Sequence, residues 1–235
     1  MKPIVTVAER EVRSYFAAPM GWVVIAVFLA FTGYFFWAPL SLAGVGDLRG
    51  WFNNSTIMLI ILIPAITMRL VAEERQRGTI EILMTSPITD TQAIIGKYIG
   101  ALLFYGAMLA LTLQFPLALS RLGTPDKGPI YAGYVGMLLF GGTFLAIGLL
   151  ISTTTRSQVI AYVATLFILL FLWLLVWASQ GEAWWQRLLS YIALPTHLES
   201  FGKGLIDTRD VFFYLSFIGG ALFLSVRALS AWKWR

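Results

Sequence analysis

The sequence contains no cysteine, one histidine and little charge. Without cysteine there are no disulfides, iron–sulfur clusters or thiolate metal sites, and cysteine usage leaves the redox compartment open. A single histidine, His197, excludes a multi-histidine metal centre, and its position in a loop reads as structural. Charged residues make up 12% of the 235, against 58% hydrophobic and 15% aromatic, and the mean hydropathy is +0.78. A soluble domain of this size would not need so much apolar surface, and several apolar runs exceed about eighteen residues, so the chain is a polytopic membrane protein. No G-x-x-x-x-G-K-[ST] phosphate loop is present; Gly96-Lys97 lacks the upstream glycine and sits at a membrane boundary. Any use of ATP and Mg therefore falls to another polypeptide, and no cofactor is expected in this chain. No Asp, Glu or His lies near the middle of an expected span, which argues against a proton-coupled carrier. Only Arg69 and Arg227 approach from the span ends, where snorkelling accounts for them. Paired membrane aspartates and a Ser–His pair at depth are both missing, which argues against an intramembrane protease. No bond-making chemistry is expected.

Spanning a hydrocarbon core of roughly 30 Å takes about 20 helical residues. Six segments approach or exceed that length: 21–42, 54–72, 92–120, 130–151, 158–179 and 211–229. The expected fold is all-α, one transmembrane domain over residues 1–235. The amino terminus is not a secretory signal: Glu9 and Glu11 interrupt its basic region, and the following run is long enough to remain as the first span. Residues 1–19 carry Ile4, Val5, Ala8, Val12 and Phe16 at helical spacing, as in an interfacial amphipathic helix, and Pro19 breaks it. The net charge of +5 concerns orientation and does not imply nucleic acid. With the amino terminus inside, eleven basic residues fall on inner segments and six on outer ones, which places both termini in the cytoplasm. Trp22, Trp37, Trp51, Trp177, Trp184, Trp185, Trp232 and Trp234 fall near span ends, as interfacial indoles do. The outer segment 180–210 is expected to form a short surface helix at Trp184–Leu189 and otherwise a loop or re-entrant turn. There Glu182, Glu199, Asp207 and Asp210 alternate with basic residues as on a solvated face. Pro64 and Pro116 should bend the second and third spans. Gly136, Gly141, Gly142 and Gly148 let helices approach within a bundle or a dimer.

The densest information lies in the polar stretch 73–91, between the second and third spans. Arg69–Glu73 and Glu73–Arg77 are i,i+4 opposite-charge pairs that can extend the second span into the cytoplasm. Gly78 ends that helix. Ile80, Leu83 and Met84 then share one face of a short helix, with Glu81 away from it. Ser86-Pro87 stops it, and Thr89-Asp90-Thr91-Gln92 has capping-box spacing for the next helix. A short amphipathic helix between two rigid spans is a lever on which a partner can push.

These residues carry a resemblance. Pro64-Ala65-Ile66-Thr67-Met68-Arg69, Glu73-Glu74-Arg75, Gly78-Thr79, Glu81-Ile82-Leu83, Thr85-Ser86-Pro87 and Gly96-Lys97 are similar to the ABC-2 type permease family. The likeness is greatest to its gliding-motility-associated and nitrous-oxide-reductase-maturation branch. Glu11-Val12-Arg13-Ser14-Tyr15-Phe16, Gly148–Ser152 with Thr155-Arg156, and His197-Leu198-Glu199 extend it along most of the chain. The resemblance implies a six-helix half of an ABC exporter in the bacterial inner membrane, with 1–19 as an elbow helix and 78–87 as the coupling helix. It implies contacts with a cytosolic ABC ATPase through Glu73, Glu74, Arg75, Gly78, Thr79, Ile80, Glu81, Leu83, Ser86 and Pro87, with Thr155 and Arg156 in a second cytoplasmic loop. A second permease protomer, identical or related, would pack on the first and fifth spans. An auxiliary periplasmic or membrane protein and membrane lipid complete the implied partners. Three rivals stay open: a non-transporting membrane anchor or assembly factor, a permease of the cytochrome-c-maturation type, and an ion-coupled carrier.

Overall fold

The computed structural model describes residues 2–43, 48–79, 88–122, 126–179, 181 and 183–232. Among them it contains eleven α-helices and no strand, as the composition requires. The helices are α1 (Lys2–Ala17), α2 (Pro19–Ala43), α3 (Leu48–Thr67), α4 (Ala72–Gln76), α5 (Asp90–Leu111) and α6 (Gln114–Leu122). They continue with α7 (Lys127–Thr154), α8 (Gln158–Ala178), α9 (Trp184–Ile192), α10 (Leu194–Gly202) and α11 (Thr208–Trp232). Six segments are long and apolar enough to cross a bilayer: Pro19–Ser41, Leu48–Gln76, Asp90–Arg121, Lys127–Thr154, Gln158–Ala178 and Thr208–Ala231. The chain is a multi-pass membrane protein. The second span starts at Leu48 rather than near 54 because its polar residues satisfy themselves within the helix. The Ser55 hydroxyl donates to the Trp51 carbonyl (2.8 Å) and Thr56 to that of Asn53 (2.7 Å).

Helix α7 is the hub, in contact with α3, α5, α8, α10 and α11, while α2 packs on α3 and α5 from outside. Its glycines make this possible. A Cβ at Gly133 would strike the Phe52 ring, one at Gly141 the Tyr105 ring, and one at Gly148 the Thr67 side chain. The α7 glycines therefore serve packing within one chain. Tyr105 completes its contact by donating to the Met137 carbonyl (2.7 Å). Helices α3 and α7 are the most deeply buried spans, whereas α2, α8 and α11 present apolar side chains outward.

Several expectations need correction. Trp51 is not interfacial: it is 1% exposed and donates its indole N–H to the Thr32 carbonyl (2.9 Å). Trp22, Trp37, Trp177, Trp184 and Trp185 are exposed; the Trp232 side chain and Trp234 lie outside the described residues. Residues 194–202 form a helix, not a loop, because Pro195 occupies its first turn, where no N–H is needed, and Gly204 (φ +83°) turns the chain just beyond its end. Leu194, Leu198 and Phe201 bury that helix against the bundle. Asp210 does not lie on a solvated face. It is buried at the start of α11 with Oδ1 2.6 Å from His197 Nδ1, and His197 sits on α10 stacked against Phe213. Pro116 does interrupt its span, separating α5 from α6, but α3 runs through Pro64 unbroken.

Candidate functional site

The end of the bundle that carries α1 holds a charged junction, built around a break in the second span. Helix α3 stops at Thr67 and α4 starts at Ala72, so the expected continuous helix through Arg77 is interrupted at residues 68–71. A break inside an apolar span strands backbone groups, which cost free energy unless other partners satisfy them. Two side chains from distant helices do so. The Tyr15 hydroxyl on α1 donates to the Ile66 carbonyl (2.9 Å), and the Ser152 hydroxyl oxygen on α7 accepts from the backbone N–H groups of Val71 (3.2 Å) and Ala72 (3.0 Å). Burial, with the nearby Glu11 carboxylate second, holds the Tyr15 phenol well above its ordinary range, so it remains a donor.

Helix α1 reaches this place because α5 is grooved for it. A Cβ at Gly96 would lie 2.7 Å from Val7 Cβ, and one at Gly100 would lie 2.6 Å from Glu11 Cβ. The pair forms a G-x-x-x-G face on which α1 lies close to the α5 backbone. The buried face of α1 is therefore Val7, Ala8, Glu11 and Tyr15, while Val5, expected on the apolar face, is 63% exposed. Burying Glu11 demands a cation, and Lys97 supplies it at 2.8 Å. The same ammonium lies 2.8 Å from Glu74 on α4 and is itself 1% exposed. Arg10 closes the cluster on Glu74 (2.7 Å) and Glu11 (3.3 Å). Beside it, Glu73 pairs with Arg69 (2.8 Å) and Arg77 (2.6 Å), the two i,i+4 contacts expected. A polar cavity of about 260 Å³ opens between these groups, lined by Arg10, Glu11, Ser14, Tyr15, Arg69, Glu73, Glu74, Arg77 and Thr79.

The expected contact residues divide between described and undescribed positions. Glu73 and Glu74 sit in the junction. Arg77 ends α4, and Gly78 follows at φ +73°, a conformation that favours glycine; the Thr79 hydroxyl donates to the Glu74 carbonyl (3.3 Å). Helix α4, with Arg75, packs on the ends of α7 and α8, whose connecting turn holds Thr155 and Arg156. The Thr155 hydroxyl accepts from the Ser157 N–H (3.2 Å) and shapes that turn, and the two loops thus meet at α4. Ile80, Glu81, Leu83, Ser86 and Pro87 lie outside the described residues. On the far side the Thr89–Gln92 capping box is formed in both directions, at 3.3 and 3.1 Å.

Sequence reasoning missed Glu11, Tyr15, Lys97 and Ser152 as members of this site. The available signal was Gly96-x-x-x-Gly100, together with a carboxylate on the side of α1 that such a groove would bury. Among the described residues no group of three or more His, Cys, Asp or Glu side chains is placed to hold a metal ion. The junction has the makings of a mechanical coupling: charges on three helices, mutually paired around a break.

A family profile described as ABC-2 family transporter protein matches residues 48–197. Over 122 residues the chain is 34% identical to the probable multidrug ABC transporter permease YbhS of Escherichia coli K12 and, equally, to that of Escherichia coli O157:H7. Each match covers 47% of this chain and 32% of the relative, so the chain spans about a third of the length of the relatives it matches.

Proposed function

The chain belongs to the ABC-2 transporter family, and from that premise we propose that it is a permease subunit worked by a separate ABC ATPase. In this reading ATP and Mg bind to the partner subunit, and its motion reaches the membrane through 78–87 and the α4 junction. The observation that carries the proposal is the three-way pairing of Lys97 with Glu11 and Glu74. It ties α4, which leads into that segment, to α1 and α5. A push on α4 has no soft route around this cluster. The five-residue helix α4 is too short to hold its own direction, and Ser152 and the ion pairs set it.

The chain in this proposal lies in a bacterial inner membrane, with the α1 end facing the cytoplasm. Two protomers, identical or related, complete the transmembrane unit. The outward apolar faces of α2 and α8 support that contact, with Val23, Val27, Phe167 and Phe171 all exposed. Between α2, α3 and α8 runs an apolar groove of about 370 Å³ lined by Met20, Val24, Ile61, Ala65, Val159 and Tyr162. Such a surface suits export of an apolar or amphiphilic cargo, in line with the multidrug naming of the relatives. The likeness to the gliding-motility and nitrous-oxide-reductase-maturation branch favours transmembrane conformational signalling to an auxiliary protein instead. Reconstitution with the cognate ATPase tests the coupling. Glu74→Ala, Gly78→Pro and Leu83→Asp should each lower ATPase association or stimulated turnover. Wild-type values in all three would remove the lever. Transport in liposomes without nucleotide or companion subunit would remove the whole reading.

A further inference from the structure

We infer that a cavity between α3 and α10, at the end of the bundle opposite α1, binds the headgroup of an aminophospholipid, a phosphate diester bearing a primary ammonium. The cavity measures about 270 Å³. Its floor is apolar and backed by the hub helix. Phe52 and Leu198 are 3% and 7% exposed, and they rest against Gly133 and Gly136, about one turn apart on α7. A Cβ at Gly136 would stand 2.9 Å from Leu198 Cδ1, so this floor is in tight contact with backbone and does not yield easily.

The rim has the opposite character. Arg49, Asn53, Glu199 and Lys203 line it and are exposed. Glu199 on α10 and Lys203, the residue that caps its end, stand four apart in the order that favours an i,i+4 ion pair, yet among the described residues they form none. Among the described residues neither of these side chains, nor that of Asn53, has a hydrogen-bond or ion-pair partner. Arg49 is engaged with a neighbour, so Lys203 carries the anion contact. A carboxylate and an ammonium on one rim, each without the other, complement a zwitterion: phosphate to Lys203, ligand ammonium to Glu199.

Depth selects a lipid over a soluble phosphoamine. The cavity lies where the spans from Leu48 and Lys127 begin, and a bilayer matched to those spans would bring its headgroup layer to the rim and its first acyl carbons to the floor. A purely anionic headgroup would leave Glu199 opposed. A quaternary choline has no N–H to donate to it. The inference needs only the membrane embedding of the chain and stands apart from ATP coupling.

The test uses the full chain in nanodiscs, with lipid occupancy read by native mass spectrometry after exchange against vesicles of phosphatidylethanolamine, phosphatidylcholine or phosphatidylglycerol. Retention of phosphatidylethanolamine should exceed that of the other two by roughly two- to fivefold, the size of one partly exposed ion pair. Glu199→Gln should abolish the preference over phosphatidylcholine while keeping bound phospholipid, and Lys203→Gln should lower retention of every phospholipid. Both side chains are exposed, so both variants fold. Equal retention of the three lipids by the wild type, or an unchanged preference in both variants, overturns the assignment. So does displacement of the lipid by millimolar glycerophosphoethanolamine, which has the headgroup but no acyl chains.

Discussion

Lys97→Met is the sharpest perturbation of the charged junction. The substitution keeps an apolar chain as far as Cε and removes the buried ammonium that touches both Glu11 and Glu74. Removing one partner from a buried ion pair costs roughly 3–5 kcal/mol, because the remaining charge stays desolvated. Two features reduce that figure here. The carboxylates keep 12% and 18% of their side-chain surface, and Arg10, 55% exposed, still reaches both. We therefore expect a loss of about 2–3 kcal/mol, at or just below the lower limit of the buried-pair range. At about 2–4 °C per kcal/mol for a chain of this size, the unfolding midpoint in detergent should fall by roughly 4–12 °C.

The second half of the experiment separates charge from packing. Lys97→Met combined with Glu11→Gln and Glu74→Gln removes the uncompensated charge along with its partner, and a neutral cluster of similar volume is often as stable as the ion pairs it replaces. The triple variant should recover most of the lost midpoint. In the proposed coupling it should still fail to transmit ATPase stimulation, because α4 and α1 are no longer tied by charge. A midpoint within 1 °C of wild type for Lys97→Met, or a triple variant no more stable than the single, would refute the electrostatic account.

Three further outcomes follow from named contacts. Ser152→Ala leaves the Val71 and Ala72 N–H groups without their acceptor and should cost about 1–3 kcal/mol, read as a lower unfolding midpoint and faster amide exchange at 71–72. Gly141→Ala should destabilise by about 1–3 kcal/mol through the clash with the Tyr105 ring, whereas Gly219→Ala, with nothing within 4 Å of the new methyl, should be neutral or raise the midpoint. Tyr15→Phe removes the donor to Ile66 and should cost about 0.5–1.5 kcal/mol at neutral pH. It should also flatten the alkaline limb of stability. The folded phenol holds its proton well above the ordinary range, so the unfolded chain ionises first, and wild-type stability falls as pH rises beyond about 10.

Features with a local cause were legible in the sequence. Span number follows from apolar length, and the Thr89–Gln92 box, the Arg69–Glu73–Arg77 ladder and the turn at Gly78 each depend on residues within four positions of one another. Features that depend on chain-distant neighbours were not. Glu11 and Lys97 are 86 residues apart, and the apolar repeat of Ile4, Val5, Ala8, Val12 and Phe16 does not call for Glu11 to be buried. Only the groove at Gly96 and Gly100 turns it inward. The break at 68–71 was hidden for the same reason: its stabilising groups, Tyr15 and Ser152, belong to other helices. Helix α10 is a different case. Pro195 and Gly204 suggest a loop by composition, although they stand where a helix begins and where the chain turns beyond its end. Trp51 shows the limit of a compositional rule, since an indole near a span end goes to the interface only if no buried acceptor claims its N–H.

The placement of α7 gives the proposed coupling a physical route across the membrane. At the α1 end its Ser152 holds the start of α4, and its Gly148 lies against Thr67 at the end of α3. At the other end its Gly136 seats Leu198 and Phe201 of α10. One continuous helix of 28 residues therefore touches the break at one end and α10 at the other. Close packing makes such a helix resist bending, because its glycines leave no slack against Tyr105 and Phe52. A displacement of α4 that kept its hydrogen bonds to Ser152 would carry α7 with it, and α10 would follow. A displacement that broke those bonds would leave two buried N–H groups unpaired, the costlier course by about 1–3 kcal/mol each. That difference favours movement of α4, α7 and α10 as one body together with α3 and α5, whose Phe52 and Tyr105 pack tightly on the same helix.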